Sequence, residues 1–272
     1  MQKVFRDGLT FYQFEHLVGR SDIVHGVFTR RGGVSVSPWA SLNLSRSTGD
    51  SLEAITENNR RLLGALDLSP HQTVSAWLNH GNHVAVVGAA QIGAALKDTD
   101  AMISATPGLV LSMRFADCVP VLFHDAERNV IAIAHAGWPG VVAGILGATA
   151  HAMCDAFGCH PGDVWAGIGP AIRVECYQFG ADLARRVVAV CPSGAPVMRP
   201  QPDGTLHLDL IAAVKSQLEA VGVTNIEDSG ICTACHTDEW FSHRVEKRTG
   251  RFGVVIGLKE NQDGEWAVVR LQ

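Results

Sequence analysis

Residues 109–135 read LVLSMRFADCVPVLFHDAERNVIAIAH, and this stretch decides the fold class. It contains three short apolar runs, at 109–113, 119–123 and 130–134, separated by polar or turn-forming residues. Continuous apolar runs of this length are typical of strands in a sheet that is covered on both faces. The stretch therefore predicts the buried centre of an α/β protein.

Two residues in this stretch are suited to metal binding. Cys118 immediately precedes the second apolar run, and His135 ends the third, just before Ala136-Gly137-Trp138-Pro139-Gly140. Catalytic zinc sites combine thiolate and imidazole ligands and use three protein ligands plus an open position. A third ligand of similar character is His80 or His83, and the spacing does not choose between them. The alternative is that Cys118 is a small core residue and His135 a buried histidine with satisfied ring nitrogens.

Hydrophobic periodicity outward from this centre predicts alternating strands and helices. No shift in composition marks a linker, so we expect one domain over residues 1–272. The predicted strands are 24–29, 73–78, 84–87, 253–258 and 266–271, and the predicted helices are 52–66, 141–157, 180–190 and 209–221.

Composition excludes several classes of function. The 272 residues are 47% hydrophobic and 18% charged, with a net charge of -5 and no basic stripe, so we expect no nucleic-acid partner.

Residues 130–154 carry no Asp, Glu, Lys or Arg, but Gly137 and Pro139 interrupt them, so we expect a strand, a turn and a helix and no membrane span. The N-terminal residues lack the apolar core of a secretory signal, and seven cysteines show no disulfide spacing. We therefore expect a cytoplasmic protein with reduced thiols.

Other motifs are weak. Residues 232–236, CTACH, match the haem-attachment pattern, but that chemistry normally requires export, so a redox pair or two reduced cysteines fits better. The twelve histidines include no His-x-His pair, which argues against a multicopper oxidase. The Gly-rich segments 30–33 and 167–170 are neither a Walker loop nor a dinucleotide fingerprint.

Motifs along nearly the whole chain resemble those of the laccase-domain proteins, also called the polyphenol oxidase family or peptidoglycan editing factor. The ADCVPV and HAGW segments, in this order, are the most specific. The matching segments are 29–35 (TRRGGVS), 41–44 (SLNL), 57–60 (ENNR), 80–81 (HG), 116–122 (ADCVPVL), 135–138 (HAGW), 167–172 (GIGPAI), 207–210 (HLDL), 241–244 (FSHR) and 249–251 (TGR).

The resemblance implies a metal site formed by His80, Cys118 and His135, with zinc as the expected metal and copper as the alternative. It also implies a single α/β domain with mixed sheets and flanking helices, similar to the catalytic domain of a deamidating bacterial toxin. Family members are described as purine nucleoside phosphorylases with adenosine deaminase activity. The partners implied are thus a nucleoside, such as adenosine, inosine or methylthioadenosine, and inorganic phosphate.

Further site residues follow from this chemistry. Phosphate needs cationic or amide donors, for which Arg31, Arg244 and Arg251 are candidates, with Asn43 as a polar contact. Asp117, next to Cys118, is a candidate hydrogen-bond partner that orients a metal ligand or a bound water; the alternative is a loop carboxylate that accepts from backbone amides.

The sequence departs from the family pattern at Pro139, where arginine is usual, and at Val214, where asparagine is common. Both changes concern substrate contacts and neither concerns a metal ligand. Alternative functions are an amidohydrolase that edits peptidoglycan precursors, a copper-dependent polyphenol oxidase, which the missing His-x-His pairs disfavour, and a non-catalytic zinc module. The sequence does not indicate an oligomeric state.

Overall fold

The strands of the computed structural model form two large mixed sheets, with helices on their outer faces. The structure describes residues 1–191 and 196–260. The strands are β1 Gln2–Arg6, β2 Leu9–Gln13, β3 Ile23–Phe28, β4 Thr73–Ala76, β5 Val84–Val86, β6 Ala95–Leu96, β7 Ala101–Ser104, β8 Val110–Phe115, β9 Val119–Asp125, β10 Val130–Ala136, β11 Trp165–Ile168, β12 Met198–Pro200, β13 Leu206–Leu208, β14 Asn225–Asp228 and β15 Phe252–Leu258. The helices are α1 Leu52–Gly64, α2 Trp138–Val142, α3 Ile145–Phe157, α4 Ala181–Val188, α5 Leu210–Ala220 and α6 His243–Glu246.

Each sheet mixes parallel and antiparallel pairs. The first has the order β1-β2-β3-β15-β8-β4-β6, in which β4 pairs parallel with both β6 and β8. The second has the order β14-β11-β9-β10-β7-β5, in which the β11–β14 and β5–β7 pairs are parallel. A small ribbon joins β12 and β13. The prediction of an α/β fold with mixed sheets and flanking helices is confirmed.

Three apolar clusters order these elements in layers. One cluster lies between the two sheets and joins residues of β8 and β15 to residues of β7, β9 and β10. A second covers the far face of β9 and β10 with α3 and α5, and a third covers the far face of β3 and β15 with α1. The central strands are therefore covered on both faces, which is why their sequences are continuous apolar runs.

The element predictions hold for most of the chain, and two points differ. The helix predicted over 141–157 is two helices, α2 and α3, because Gly144 adopts a left-handed backbone with φ of 82° between them. The strand predicted at 266–271 lies outside the described residues. For that reason the extent of one domain over 1–272 stays a prediction.

The apolar stretch 130–154 forms β10, α2 and most of α3, so the predicted strand and helix are present. The predicted turn at 137–140 is shorter than expected, because helix α2 already begins at Trp138, after Gly137. None of the helices in the described ranges is long and apolar enough to cross a membrane.

The chain crosses from one sheet to the other at the site of interest. Strand β8 belongs to the first sheet and β9 to the second, and residues 116–118 connect them in a short bend. Cys118 therefore lies at the edge where the two sheets meet. His135, near the end of β10 beside β9, is paired in register with Pro120.

Candidate metal centre and cavity

Three side chains from separate parts of the chain converge at this edge. His80 lies in the loop between β4 and β5, Cys118 in the bend before β9, and His135 near the end of β10. One potential ligand atom from each lies within 4.8 Å of the others. The two imidazole rings are nearly perpendicular, with centroids 4.8 Å apart. The structure thus brings together the three residues that the resemblance implied, and it places His80, not His83, in the group.

Gly137 makes this convergence sterically feasible. A Cβ atom at this position would lie 3.0 Å from Sγ of Cys118 and 3.0 Å from Cδ2 of His80. Contacts this short force the neighbouring groups to move. The absence of a side chain at Gly137 therefore lets His80 and Cys118 approach each other without being displaced.

The buried carboxylate of Asp100 connects two of the three residues. Its Oδ1 lies 2.9 Å from Nδ1 of His135 and accepts from the backbone amide of His80 at 3.0 Å, while Oδ2 accepts from the amide of Gly81 at 2.8 Å. Because an ionised carboxylate can only accept, Nδ1 of His135 carries the hydrogen, and its Nε2 is left to bind a metal. Asp100 was not predicted from the sequence, because nothing near residue 100 marks it as different from a surface carboxylate.

The charges at the centre are strongly coupled. Burial disfavours the Cys118 thiolate, but the adjacent His135, and to a smaller extent His80, outweigh this effect and lower the pKa of Cys118 to about 6. Burial likewise disfavours the His135 imidazolium, but Cys118 and Asp100 raise the pKa of His135 to about 9. Burial also opposes ionisation of Asp100, yet hydrogen bonds from His135 and the loop amides hold its pKa below the ordinary value. The lowered pKa of Cys118 and the raised pKa of His135 both favour the charged forms of these two side chains.

These donors fit a transition-metal ion. One thiolate and two imidazoles are ligand types that zinc accepts, and copper accepts them as well. His135 is buried, Cys118 is half-buried and His80 is exposed, so the group is open on one side. Three protein ligands with an open side are typical of a catalytic site and not of a closed structural one.

The open side faces a cavity of about 390 Å³. Its wall combines aromatic and aliphatic groups with several cations. The lining residues are Ser45, Arg46, Ser47, Ala76, Trp77, Leu78, His80, Arg114, Phe115, Ala116, Cys118, His135, His243 and Arg251.

Three arginines give this cavity a positive charge. The guanidinium of Arg114 donates to the carbonyl of Ala76 and lies 5.9 Å from the ring of Trp77, and that of Arg251 donates to the carbonyls of Thr249 and Gly250. Within the described ranges, neither guanidinium forms an ion pair with a carboxylate at 4.0 Å or less. Burial lowers the pKa of Arg114, and the nearby charge of Arg46 lowers it further. Guanidinium groups without carboxylate partners are chemically suited to binding an anion.

Of the four substrate-contact residues predicted from the sequence, only Arg251 lines the cavity. Arg31 pairs with Asp238 at the surface, and the side chain of Arg244 donates to the carbonyl of Gln178. Asn43 is fully buried, and its side-chain oxygen accepts from the backbone amide of Arg251 at 2.9 Å. Asn43 therefore supports the cavity wall from behind.

The hydrogen bonds of the Asp117 carboxylate join it to loop residues and not to His80 or His135. Its φ of 86° turns the backbone at the bend, and its carboxylate accepts from Oγ1 of Thr233 at 2.7 Å and from the amide of Arg244 at 2.6 Å. These are the contacts of a carboxylate that fixes loops. The carboxylate that orients a candidate ligand directly is that of Asp100.

Arg114 was also missed, although the sequence carries a signal for it. It is the one charged residue in the mostly apolar segment 109–115. A charge in a buried strand requires a partner or a ligand, so this position could have been singled out. The two departures from the family pattern lie elsewhere: Pro139 is in the first turn of α2, where a missing amide is tolerated, and Val214 is buried in the core on α5.

Comparison with known proteins agrees with this geometry. Over 248 residues the chain is 38% identical to a purine nucleoside phosphorylase from Streptomyces coelicolor, covering 89% of this chain and all of the relative. Over 238 residues it is 36% identical to a purine nucleoside phosphorylase from Pseudomonas aeruginosa, covering 86% of this chain and 93% of the relative.

Solved structures show the same fold. The crystal structure of YlmD from Geobacillus stearothermophilus superposes with a TM-score of 0.88 at 31% identity, covering 93% of this chain and 97% of that one. The Bacillus licheniformis protein YfiH gives a TM-score of 0.86 at 30% identity, with the same coverage of both chains. Residues 24–259 match the family model described as multi-copper polyphenol oxidoreductase laccase, and the chain belongs to this family.

Proposed function

We propose that this protein is a zinc-dependent purine nucleoside phosphorylase that acts on adenosine, inosine and methylthioadenosine, with adenosine deaminase activity at the same site. The names of its relatives support the phosphorylase assignment. The observation that carries the proposal is the pairing, in one cavity, of a three-residue metal-binding group with arginines that lack carboxylate partners. Phosphorolysis requires a phosphate anion and a nucleoside to bind side by side, and the cationic part of this cavity is suited to hold the anion.

The cationic side of the cavity would bind inorganic phosphate. Arg114 and Arg251 are held by backbone carbonyls, so their guanidinium groups are already positioned before an anion arrives. Phosphate oxygens accept hydrogen bonds from guanidinium groups in a bidentate arrangement. Arg46, exposed at the rim, adds charge that attracts the anion.

The apolar side would hold the nucleoside. Trp77, Leu78 and Phe115 offer surfaces against which a purine and its ribose can pack. In the reaction a phosphate oxygen forms a bond to C1′ of the ribose, the glycosidic bond breaks, and the purine leaves with its electron pair and takes up a proton. His243, an exposed imidazole at the cavity wall, would supply that proton.

His80, Cys118 and His135 would hold the metal. A bound zinc ion supplies a Lewis acid that polarises a substrate atom or activates water. Asp100 fixes the tautomer of His135 and the backbone around His80, so that both ligand atoms point to the same place. A copper ion accepts the same donors, so the metal in the purified protein must be measured.

The direct test is incubation of zinc-loaded protein with adenosine, inosine or methylthioadenosine, with and without phosphate. With phosphate, we expect adenosine and inosine to yield ribose 1-phosphate and the free base, and methylthioadenosine to yield the methylthio derivative of ribose 1-phosphate. Without phosphate, we expect none of these sugar phosphates. Adenosine should then yield inosine. If neither sugar phosphate, base nor inosine forms, the proposal is wrong. Release of an amino acid or ammonia from peptidoglycan precursors would then favour the amidohydrolase alternative.

A matched pair of arginine variants tests the phosphate site. Arg114→Gln should raise the KM for phosphate at least tenfold and change the KM for the nucleoside much less. Arg31→Gln, which removes a surface arginine outside the cavity, should leave both values near those of the unmodified protein. Equal effects of the two substitutions would contradict the assignment of the anion site.

A further inference from the structure

We propose that Cys176, Cys232 and Cys235 form a second metal site, separate from the cavity, that binds a thiophilic ion such as Zn²⁺ through three thiolates. Their sulfur atoms all lie within 4.8 Å of one another. Cys232 and Cys235 belong to the CTACH segment, whereas Cys176 comes from a distant part of the sequence. Tertiary structure thus supplies the third thiol that the sequence motif lacks.

The spacing of the sulfurs suits a shared ion. Zinc–sulfur bonds of about 2.3 Å in a tetrahedral site place two sulfurs about 3.8 Å apart. The sulfurs of Cys176 and Cys235 are 3.3 Å apart, and the third lies within 4.8 Å of both, so small side-chain rotations suffice to meet this geometry. A disulfide would require a sulfur pair at about 2.05 Å and would leave the third thiol without a role.

One backbone amide already contacts a sulfur of the proposed site. The backbone amide of Arg173 donates to Sγ of Cys232 at 3.4 Å, the kind of contact that supports a ligating sulfur. Cys232 is buried with 5% of its surface exposed, whereas Cys235 is exposed. An ion would therefore be anchored from the inside and keep one position open to solvent.

The loops that carry the thiols are rigidly connected. The amide of Thr233 donates to the carbonyl of Ala171 at 3.0 Å, and Ala171 and Cys232 form a parallel bridge. Because both loops are held by backbone hydrogen bonds, the thiols are positioned before the metal binds. This reduces the conformational entropy that binding must overcome.

This second site would reinforce the bend that carries Cys118. Thr233 donates to the carboxylate of Asp117, and the amide of Ile172 donates to the Asp117 carbonyl at 2.9 Å. Thr233 is next to Cys232, and Ile172 lies in the loop that carries Cys176. An ion that joins Cys176 to Cys232 and Cys235 therefore clamps the two loops that hold Asp117 in place.

Cobalt absorption in a Cys118→Ala background separates this site from the first. In that variant any thiolate-to-Co²⁺ charge-transfer band must come from other cysteines. We expect one equivalent of Co²⁺ to produce the band and one equivalent of Zn²⁺ to abolish it. Adding Cys235→Ser should weaken Co²⁺ binding at least tenfold, whereas adding Cys154→Ser, a half-buried cysteine on α3, should leave it unchanged.

The proposal is overturned if the Cys118→Ala protein, folded by circular dichroism, shows no thiolate–cobalt band, or if Cys154→Ser reduces the band as much as Cys235→Ser. It is also overturned if the reduced protein binds no Zn²⁺ there and mild oxidation joins Cys176 to Cys235 instead. A second measurement uses the otherwise unmodified protein, in which Cys176→Ser should lower the zinc content by one equivalent. The outcome is independent of nucleoside turnover, so it stands or fails separately from the proposed function.

Discussion

Asp100 connects two of the three side chains of the candidate metal centre. One fully buried carboxylate holds the ring of His135 and the loop amides that place His80. Removing the hydrogen-bond partner of a metal-ligating histidine typically lowers the metal affinity by about 10- to 100-fold.

Asp100→Ala should therefore weaken zinc binding by about 10- to 100-fold. The substitution removes the acceptor of His135 Nδ1 and frees the His80 loop. Competition with a chromophoric chelator measures the affinity, and Asp98→Asn, at an exposed turn two residues away, is the control. Unchanged affinity in Asp100→Ala would show that the ligands are positioned without this carboxylate.

Gly137→Ala tests the close approach of Cys118 and His80. The added methyl group would lie 3.0 Å from both side chains, so we expect loss of at least half of the bound zinc. Gly64→Ala, where a Cβ meets nothing within 4 Å, should keep full zinc content. Metal analysis of the two folded variants gives the comparison, and full occupancy in Gly137→Ala would refute the steric argument.

Among the elements, α1 anchors the loop that supports the cavity. Asn58 on α1 is fully buried and donates to Oγ of Ser35 and to the carbonyl of Asn43, while its oxygen accepts from the amide of Val34. Asn43 in turn accepts from the amide of Arg251. A chain of hydrogen bonds thus runs from a helix on the outer face to an arginine of the proposed phosphate site.

Asn58→Ala should lower the free energy of unfolding by about 2 to 3 kcal/mol, because it leaves several buried polar groups without partners. Asn59→Ala removes a half-buried side chain that donates to the carbonyl of Ile55 in its own helix, and it should cost less than about 1 kcal/mol. Urea denaturation of both variants measures the difference. Equal losses would mean that the loop does not depend on Asn58.

At the scale of the whole molecule, two buried histidines outside the metal centre make the fold sensitive to acid. Burial, reinforced by His124, lowers the pKa of His25 to about 3, and burial, reinforced by Arg20, lowers that of His124 to about 4. Nε2 of His25 accepts from the amide of Phe14, and within the described ranges neither ring nitrogen of His124 has a hydrogen-bond partner. Both rings are therefore neutral in the folded state.

The contribution of these two neutral rings to the free energy of unfolding is fully present above pH 6.5, the pKa of histidine in the unfolded chain. It declines as the pH falls towards 4. Below pH 6.5 the unfolded chain binds protons that the folded protein excludes. Each histidine should add a slope of about 1.4 kcal/mol per pH unit to the free energy of unfolding.

In His25→Gln the amide oxygen can still accept from the amide of Phe14. The free energy of unfolding of this variant should depend less steeply on pH, by the slope of about 1.4 kcal/mol per pH unit expected of one histidine. His71→Gln, at an exposed position, is the control and should leave the profile unchanged. Urea denaturation between pH 7 and 5 provides the measurement. Parallel profiles for unmodified protein and His25→Gln would contradict the assignment of a neutral buried ring.

Local patterns were enough to predict the sheet-forming core and two candidate metal ligands, because continuous apolar runs and residues at strand ends can be recognised within a few positions. The strands around 110–135, the helix from Leu52 and the break after Gly137 all appear where periodicity and turn residues predict them. The third ligand required the resemblance, since nothing in the local sequence distinguishes His80 from His83.

Only the tertiary structure showed which polar residues meet. Asp100 contacts His135 because β7 pairs with β10, and Arg114 reaches the cavity because β8 ends beside Cys118 at the junction of the two sheets. Arg31 and Arg244 carry the same guanidinium group as Arg114 and are equally suited to bind phosphate by residue type. In the fold, however, Arg31 pairs with surface carboxylates and Arg244 donates to a backbone carbonyl. The physical reason is that strand pairing joins residues far apart in the chain, and no local pattern encodes those distances.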